Sequence, residues 1–298
     1  MAKILITGDR GFIGRNLVEY MVDKFDHNKN HQHSINILGQ TRLEDFDKLK
    51  TLVQEINPEV IFHLAGIPIV KKDENNPSKI IRSNIEGTLN LLEVAPQDCK
   101  FVFASTVTTY GDLRNSRKND EFDKCEPTSI YATTKLASEH LVNIYTEQGK
   151  IHGISLRLCA AVGRYSTHGI VHDFIRKIKS DSHSLEVLGD YPGSKKPYVH
   201  VNDICKAFDT CIGYNGTQKV FNICADDIVS VEDVAKSVMS ALNIQKQIEW
   251  LGESANWKGD NKLINCNNSL ASMYLGWKPR YSSYSAIYQA VKDNEQQQ

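Results

Sequence analysis

The 298-residue sequence has no run of eighteen apolar residues, which excludes a helix spanning a bilayer. The apolar stretch ahead of Gly8 is too short for the hydrophobic region of a signal peptide, so the expectation is a cytoplasmic protein without membrane attachment. Its seven cysteines are odd in number and contain no CxxC pair, which argues against a disulfide framework and a thiolate zinc site. An excess of charge is also missing. Thirty-five basic residues stand against 36 acidic ones, a formal net charge of -1, with no electrostatic footprint for nucleic acid. The composition, 41% apolar and 24% charged, is that of a globular chain. At a soft prior of roughly 150 residues per domain, the length suits one large domain or two interlocked ones.

Short apolar runs alternate with helical patterns through the first half. Residues 4–7, 35–38, 60–63 and 101–105 read as strands. Between them Ile13, Leu17, Met21 and Phe25 recur at helical spacing, as do Ile81, Ile85 and Leu89 with Thr88 and Leu92 beside them. Phe46, Leu49, Val53 and Ile56 supply another such stripe. The order predicts an α/β fold, a doubly wound parallel sheet of the Rossmann type, with a smaller interleaved α+β lobe. Residues 1–160 and about 198–225 are assigned to the dinucleotide-binding domain, and about 161–197 and 226–298 to the substrate lobe. A helix is expected near 202–212, and Ser230 with Asp233 predicts a capped helix carrying Val231, Val234, Val238 and Leu242. The histidine-rich tract at 27–33 reads as a polar surface turn and not a metal site, because no carboxylate ligand accompanies it.

The first strand runs directly into Gly8, Asp9, Arg10, Gly11, Phe12, Ile13 and Gly14 and then a helix. The first glycine permits a tight turn, the second lets the backbone approach a pyrophosphate, and the third allows close helix packing. Tyr131 and Lys135 stand at i and i+4 of a predicted helix, so both project from one face. A tyrosine near pKa 10 is a poor base at neutral pH, and a neighbouring ammonium favours its phenolate. Thr106 closes the fourth strand on the side where open parallel sheets bind ligands.

With these residues in place, the chain resembles the extended short-chain dehydrogenase/reductases, the family of NAD-dependent nucleotide-sugar epimerases and dehydratases. TGDRGFIG at 7–14 resembles its TGxxGFIG loop, HLAG at 63–66 its HLAA motif, and NIEGTLNLLE at 84–93 its NxxGTxxLLE helix. FVFASTVTTYG at 101–111 and PTSIYATTK at 127–135 resemble FxxxSSxxVYG and PxxxYxxxK. LRLCAAVG at 156–163, YVHVNDI at 198–204 and LGWKP at 275–279 resemble LRxxNxYG, FxHVxD and LGWxP.

The resemblance implies a catalytic triad of Thr106, Tyr131 and Lys135. Tyr131 would move the proton of a sugar hydroxyl, Lys135 would hold the nicotinamide ribose, and Thr106 would bond the same sugar oxygen. Leu64, Ala65 and Gly66 are expected along the cofactor. Asn84 reads either as a support beneath it or as a buried, satisfied amide. A homodimer is implied, with a nucleotide-sugar as the small-molecule partner.

Several positions depart from the family pattern. The Asp-Glu pair of the dehydratases is replaced by Val107 and Thr108, and the cysteine of the bifunctional epimerase-reductases also falls at Thr108. Substrate contacts are expected at Thr106, Thr108, Ala160, Lys196, Trp257 and Asp260. Ala160 replaces an asparagine, while Lys196 and Trp257 replace arginines that grip the diphosphate. The second strand is followed by Gly39, Gln40, Thr41 and Arg42 in place of an acidic residue, which favours NADP over NAD through Arg42. The sequence-based reading is redox chemistry at a nucleotide-sugar carbinol, C4 by preference, as a 4-epimerase. A 4-ketosugar reductase using NADPH is the alternative, and a non-catalytic NADP-binding sensor a second one.

Overall fold

The computed structural model describes residues 2–27, 33–68, 76–112, 117–180, 183–252 and 261–295. The first half consists of β1 (Ala2–Thr7), α1 (Phe12–His27), β2 (His33–Ile37), α2 (Phe46–Ile56), β3 (Val60–His63), α3 (Pro77–Ile81), a π turn (Arg82–Glu86) and α4 (Gly87–Val94). β4 (Cys99–Thr106), a 3-10 turn (Val107–Tyr110), α5 (Ile130–Glu147) and β5 (Ile151–Leu158) follow. The second half has β6 (Ala160–Val162), α6 (Ile170–Lys179), β7 (Ser184–Val187), β8 (Lys195–Lys196), β9 (Tyr198–His200), α7 (Val201–Gly213) and β10 (Val220–Ile223). It ends with β11 (Val229–Ser230), α8 (Val231–Leu242), β12 (Gln247–Trp250), α9 (Ser269–Leu275) and α10 (Ser283–Glu295). No helix among the described residues is long and apolar enough to cross a membrane.

The central sheet has six strands in the order β10-β5-β4-β3-β1-β2, every pair parallel. The inner strands β3 and β4 are buried at every position, as helices on both sides require, while Ile37 of the edge strand β2 is exposed. The period of two divides each strand between two cores. Ile4, Ile6, Phe62, Val102 and Ala104 join Leu17, Met21 and Phe208 on one side. Leu5, Ile61, Phe101 and Phe103 join Leu49, Val53 and Leu91 on the other. The smaller lobe has its own core, in which Phe174, Leu185, Val187, Val234, Val238 and Ile287 are buried together. The cap at α8 forms as expected: Ser230 Oγ accepts from Asp233 N at 3.1 Å while the Asp233 carboxylate accepts from Ser230 N at 2.9 Å.

Two details differ from the sequence reading. Ile81, expected to face the sheet, is 47% exposed, and the buried positions of that segment are Asn84, Gly87, Thr88, Leu91 and Leu92. The π turn adds a residue to one turn and rotates the following helix by about 100° relative to an unbroken 3.6 period. Ile264, Cys266, Ala271, Leu275 and Trp277, placed by sequence with the substrate lobe, pack instead in the core beside the sheet. Trp277 Nε1 donates to Asp203 O at 2.7 Å and ties α9's exit to α7.

Candidate active site

The end of β1 is built for close approach. Gly8 has φ +76, and a Cβ on it would lie 2.7 Å from Ala65 N. Gly11 N donates to Gly8 O at 2.9 Å, and a Cβ on Gly14 would stand 2.0 Å from that same carbonyl. Any side chain at Gly14 would collide with backbone, so the loop lies flat against the α1 N-terminus with Phe12 and Ile13 partly buried behind it. Such a cradle suits a pyrophosphate, which needs bare backbone N–H groups at a helix start. The residues present therefore fit a dinucleotide.

The loop's neighbour across the sheet is fixed by a chain of hydrogen bonds with one polarity. Thr88 Oγ1 donates to Asn84 O at 2.6 Å, so the 2.9 Å contact between it and His63 Nε2 uses the ring N–H. His63 Nδ1 then accepts from Thr7 Oγ1 at 2.8 Å, and that oxygen accepts from Leu64 N and Ala65 N at 3.2 and 3.1 Å. Burial, and second the Lys135 charge, hold the His63 pKa down to about 3, so the ring is neutral as this pattern needs. Leu64 and Ala65 thus present a fixed turn to Gly8, and Gly66 beyond them is exposed.

Asn84 is buried, with hydrogen bonds at both ends of its amide. Its Oδ1 accepts from Ile67 N at 2.7 Å, and its Nδ2 donates to Ile67 O and Thr134 Oγ1 at 3.2 and 2.9 Å. The side chain clamps the loop after Gly66 to α5 from a π turn, a feature frequent at functional sites.

Ser129 starts α5 by accepting from Ala132 N at 3.2 Å. Tyr131 is half-buried and Lys135 is 5% exposed. Lys135 Nζ donates to Ala104 O at 2.9 Å and stands 4.6 Å from the centre of the Phe103 ring. Burial lowers the Lys135 pKa to about 8, with the Glu139 charge pulling the other way. Burial pushes Tyr131 up to about 12. The Lys135 ammonium, expected from sequence to favour the phenolate, donates here to Ala104 O and faces the Phe103 ring. A neutral phenol is a proton donor, the form that reduction of a ketone requires.

Thr106 begins the 3-10 turn. Its Oγ1 accepts from Thr108 N at 3.2 Å and lies 3.0 Å from Thr108 Oγ1. With the Thr108 hydroxyl as donor there, Thr106 keeps its own proton for a substrate oxygen. The dehydratase pair's positions hold the buried Val107 and the half-buried Thr108, neither of which can ionise.

A cleft of about 1500 Å³ opens beyond β5, walled by Ala160, Lys196, Tyr165, His168 and Lys262 among others. Ala160 and Lys196, expected from sequence to contact substrate, lie in its wall, and Thr106, Thr108 and Tyr131 do not. Trp257 and Asp260 lie outside the described residues, as do positions 28–32 of the histidine tract. Tyr165 and Lys262 were not singled out by sequence, where an isolated tyrosine or lysine carries no spacing signal. Arg42 is exposed after β2, and Asp45 pairs with Lys48.

A six-stranded parallel sheet, a glycine cradle at its first turn and a Tyr/Lys helix beside its fourth strand define an extended short-chain dehydrogenase/reductase. The chain belongs to the NAD dependent epimerase/dehydratase family, whose profile matches residues 4–224. It is 28% identical over 269 residues to a dTDP-D-glucose 4,6-dehydratase of Dictyostelium discoideum, covering 80% of this chain and 62% of that protein. Identity to the dTDP-4-dehydro-6-deoxyglucose reductase of Escherichia coli is 24%, over 97% of this chain and 96% of the relative. A UDP-glucose 4-epimerase of Thermotoga maritima solved with UDP-glucose shares the fold, with a TM-score of 0.85, 23% identity and 99% of both chains covered.

Proposed function

We propose that the protein is a nucleotide-sugar 4-epimerase that works through a transient 4-keto intermediate. The observation that carries this reading is the Lys135 ammonium anchored at Ala104 O, two residues before Thr106 and one helical turn from Tyr131. A bound nicotinamide ring would supply and accept hydride. The protein's residues would do the rest: Lys135 holds the ribose, Thr106 orients the C4 oxygen, and Tyr131 moves its proton. The cleft bounded by Lys196 and Lys262 takes the nucleotide diphosphate, with the Lys196 ammonium where the family uses a guanidinium fork.

Chemistry at one carbinol needs no further acid or base, consistent with Val107 and Thr108 in place of a carboxylate pair. The second reading, a 4-ketosugar reductase using NADPH, is favoured by the exposed Arg42 after β2 and by Tyr131 as a neutral acid. The dinucleotide content of the purified protein separates the two. Tightly held NAD(H), released on denaturation and absorbing near 340 nm when reduced, supports the epimerase. A protein that arrives empty, fills with added NADPH and consumes it with a 4-keto nucleotide-sugar is a reductase. The working form is proposed to be a cytoplasmic homodimer, testable by sedimentation.

A further inference from the structure

Two successive residues of β4 meet the inner face of α5 in step, just before the strand ends at Thr106. Ala104 O accepts from Lys135 Nζ at 2.9 Å. Ser105 Oγ donates to Glu139 Oε1, one helical turn further on. Glu139 also takes Arg157 from β5 in a forked pair, Nε to Oε1 at 3.0 Å and Nη2 to Oε2 at 2.7 Å, with both side chains 6% exposed. The remaining nitrogen, Nη1, has no hydrogen-bond partner among the described residues, and the guanidinium lies 4.7 Å from the centre of the Tyr110 ring. A buried ion pair is weak support for stability, since desolvation offsets most of its attraction. Its geometric effect is stronger: forked charged bonds hold two elements in one register.

We propose that Glu139 is a positioning residue, whose carboxylate, shared by Ser105 and Arg157, fixes the helix carrying Tyr131 and Lys135 against the strand end carrying Thr106. This inference rests on the reading that Lys135 holds the nicotinamide ribose. Without the Ser105 bond, Glu139 ties α5 to β5 and no longer to β4, and the Lys135 contact to Ala104 O loses the neighbouring tie that fixes its height above the nicotinamide end of the site. The Gly8–Gly14 cradle at the adenosine end stands on β1 and α1 and would not feel the change.

The experiment uses Ser105→Ala, which cuts the strand tie without altering any charge, and Ser105→Thr, which restores a hydroxyl. After any retained dinucleotide has been stripped, NADH, NADPH and ADP are titrated by calorimetry into all three proteins, with melting temperature recorded alongside. Ser105→Ala should weaken NADH and NADPH about tenfold, the effect of roughly 1.4 kcal/mol, and leave ADP affinity within about twofold, since ADP reaches only the cradle. Ser105→Thr should recover most of the loss. Equal weakening of ADP and the dinucleotides would show a merely structural serine and overturn the proposal, as would unchanged NADH and NADPH binding. A wild type that binds ADP but gains nothing from the nicotinamide half would overturn the reading of Lys135, and this inference with it.

Discussion

Lys135 and Ala104 are joined by a 2.9 Å hydrogen bond from a buried ammonium to a strand carbonyl. That contact places a titratable cation where the dinucleotide's inner ribose is expected. Its pH dependence follows directly. Lys135 has a folded pKa of about 8 against an ordinary 10.5, so the ammonium is lost from the folded site first as pH rises. Dinucleotide affinity should fall through about pH 8. Stability should move the other way. Between those two values the unfolded chain binds more protons than the folded one, so this residue's contribution to folding rises with pH. Lys135→Met should abolish both trends, measured by calorimetric titration and by urea unfolding across that window. A flat affinity profile in wild type would contradict the placement of Lys135.

Tyr131→Phe removes the proton-transfer oxygen and little else. Turnover should fall on the order of 100- to 10,000-fold, while NADH and NADPH bind nearly as before. Activity within about threefold of wild type would remove Tyr131 from the reaction.

Arg42 offers a cofactor test. A guanidinium paired with a 2'-phosphate contributes about 1.5 to 3 kcal/mol, or roughly 10- to 150-fold in affinity. Arg42→Ala should weaken NADPH by that factor and leave NADH unchanged in paired titrations. Equal affinities in wild type that stay equal in the variant would return the preference to NAD.

The buried pair between Glu139 and Arg157 predicts a non-additive stability cycle. Glu139→Met leaves a guanidinium uncompensated in the interior and should cost about 3 to 5 kcal/mol, whereas Glu139→Met with Arg157→Met should recover much of it. Urea midpoints of the two variants make the comparison. Equal loss in both would show that the cost comes from packing and not from charge.

Much of the fold was legible because local patterns and global structure agree. The loop from Gly8 to Gly14, the capping box of Ser230 and Asp233, and the strands near Ile4, Val60 and Phe101 each follow from neighbours in sequence. The rotated face after Ile81 was not, because a π turn leaves no mark in apolar spacing. Trp277's place beside the sheet depends on Asp203, 74 residues away, and periodicity identifies a buried face without naming what covers it. In the site, Tyr131 and Lys135 were readable by their spacing. Arg157 and Glu139 were not singled out from sequence, because their pairing brings together a strand and a helix and only the fold shows it.

The central claim is hydride and proton exchange at C4 of a nucleotide-sugar, and product analysis tests it most directly. The protein would be incubated with UDP-glucose, UDP-galactose, UDP-glucuronate and dTDP-glucose without added cofactor, and separately with their 4-keto derivatives and NADPH, beside Tyr131→Phe. The account predicts C4-inverted sugar, or C4 alcohol formed at the expense of NADPH, from wild type alone and no 4-keto-6-deoxy product. Loss of one water from a substrate, or equal conversion by wild type and Tyr131→Phe, would contradict it.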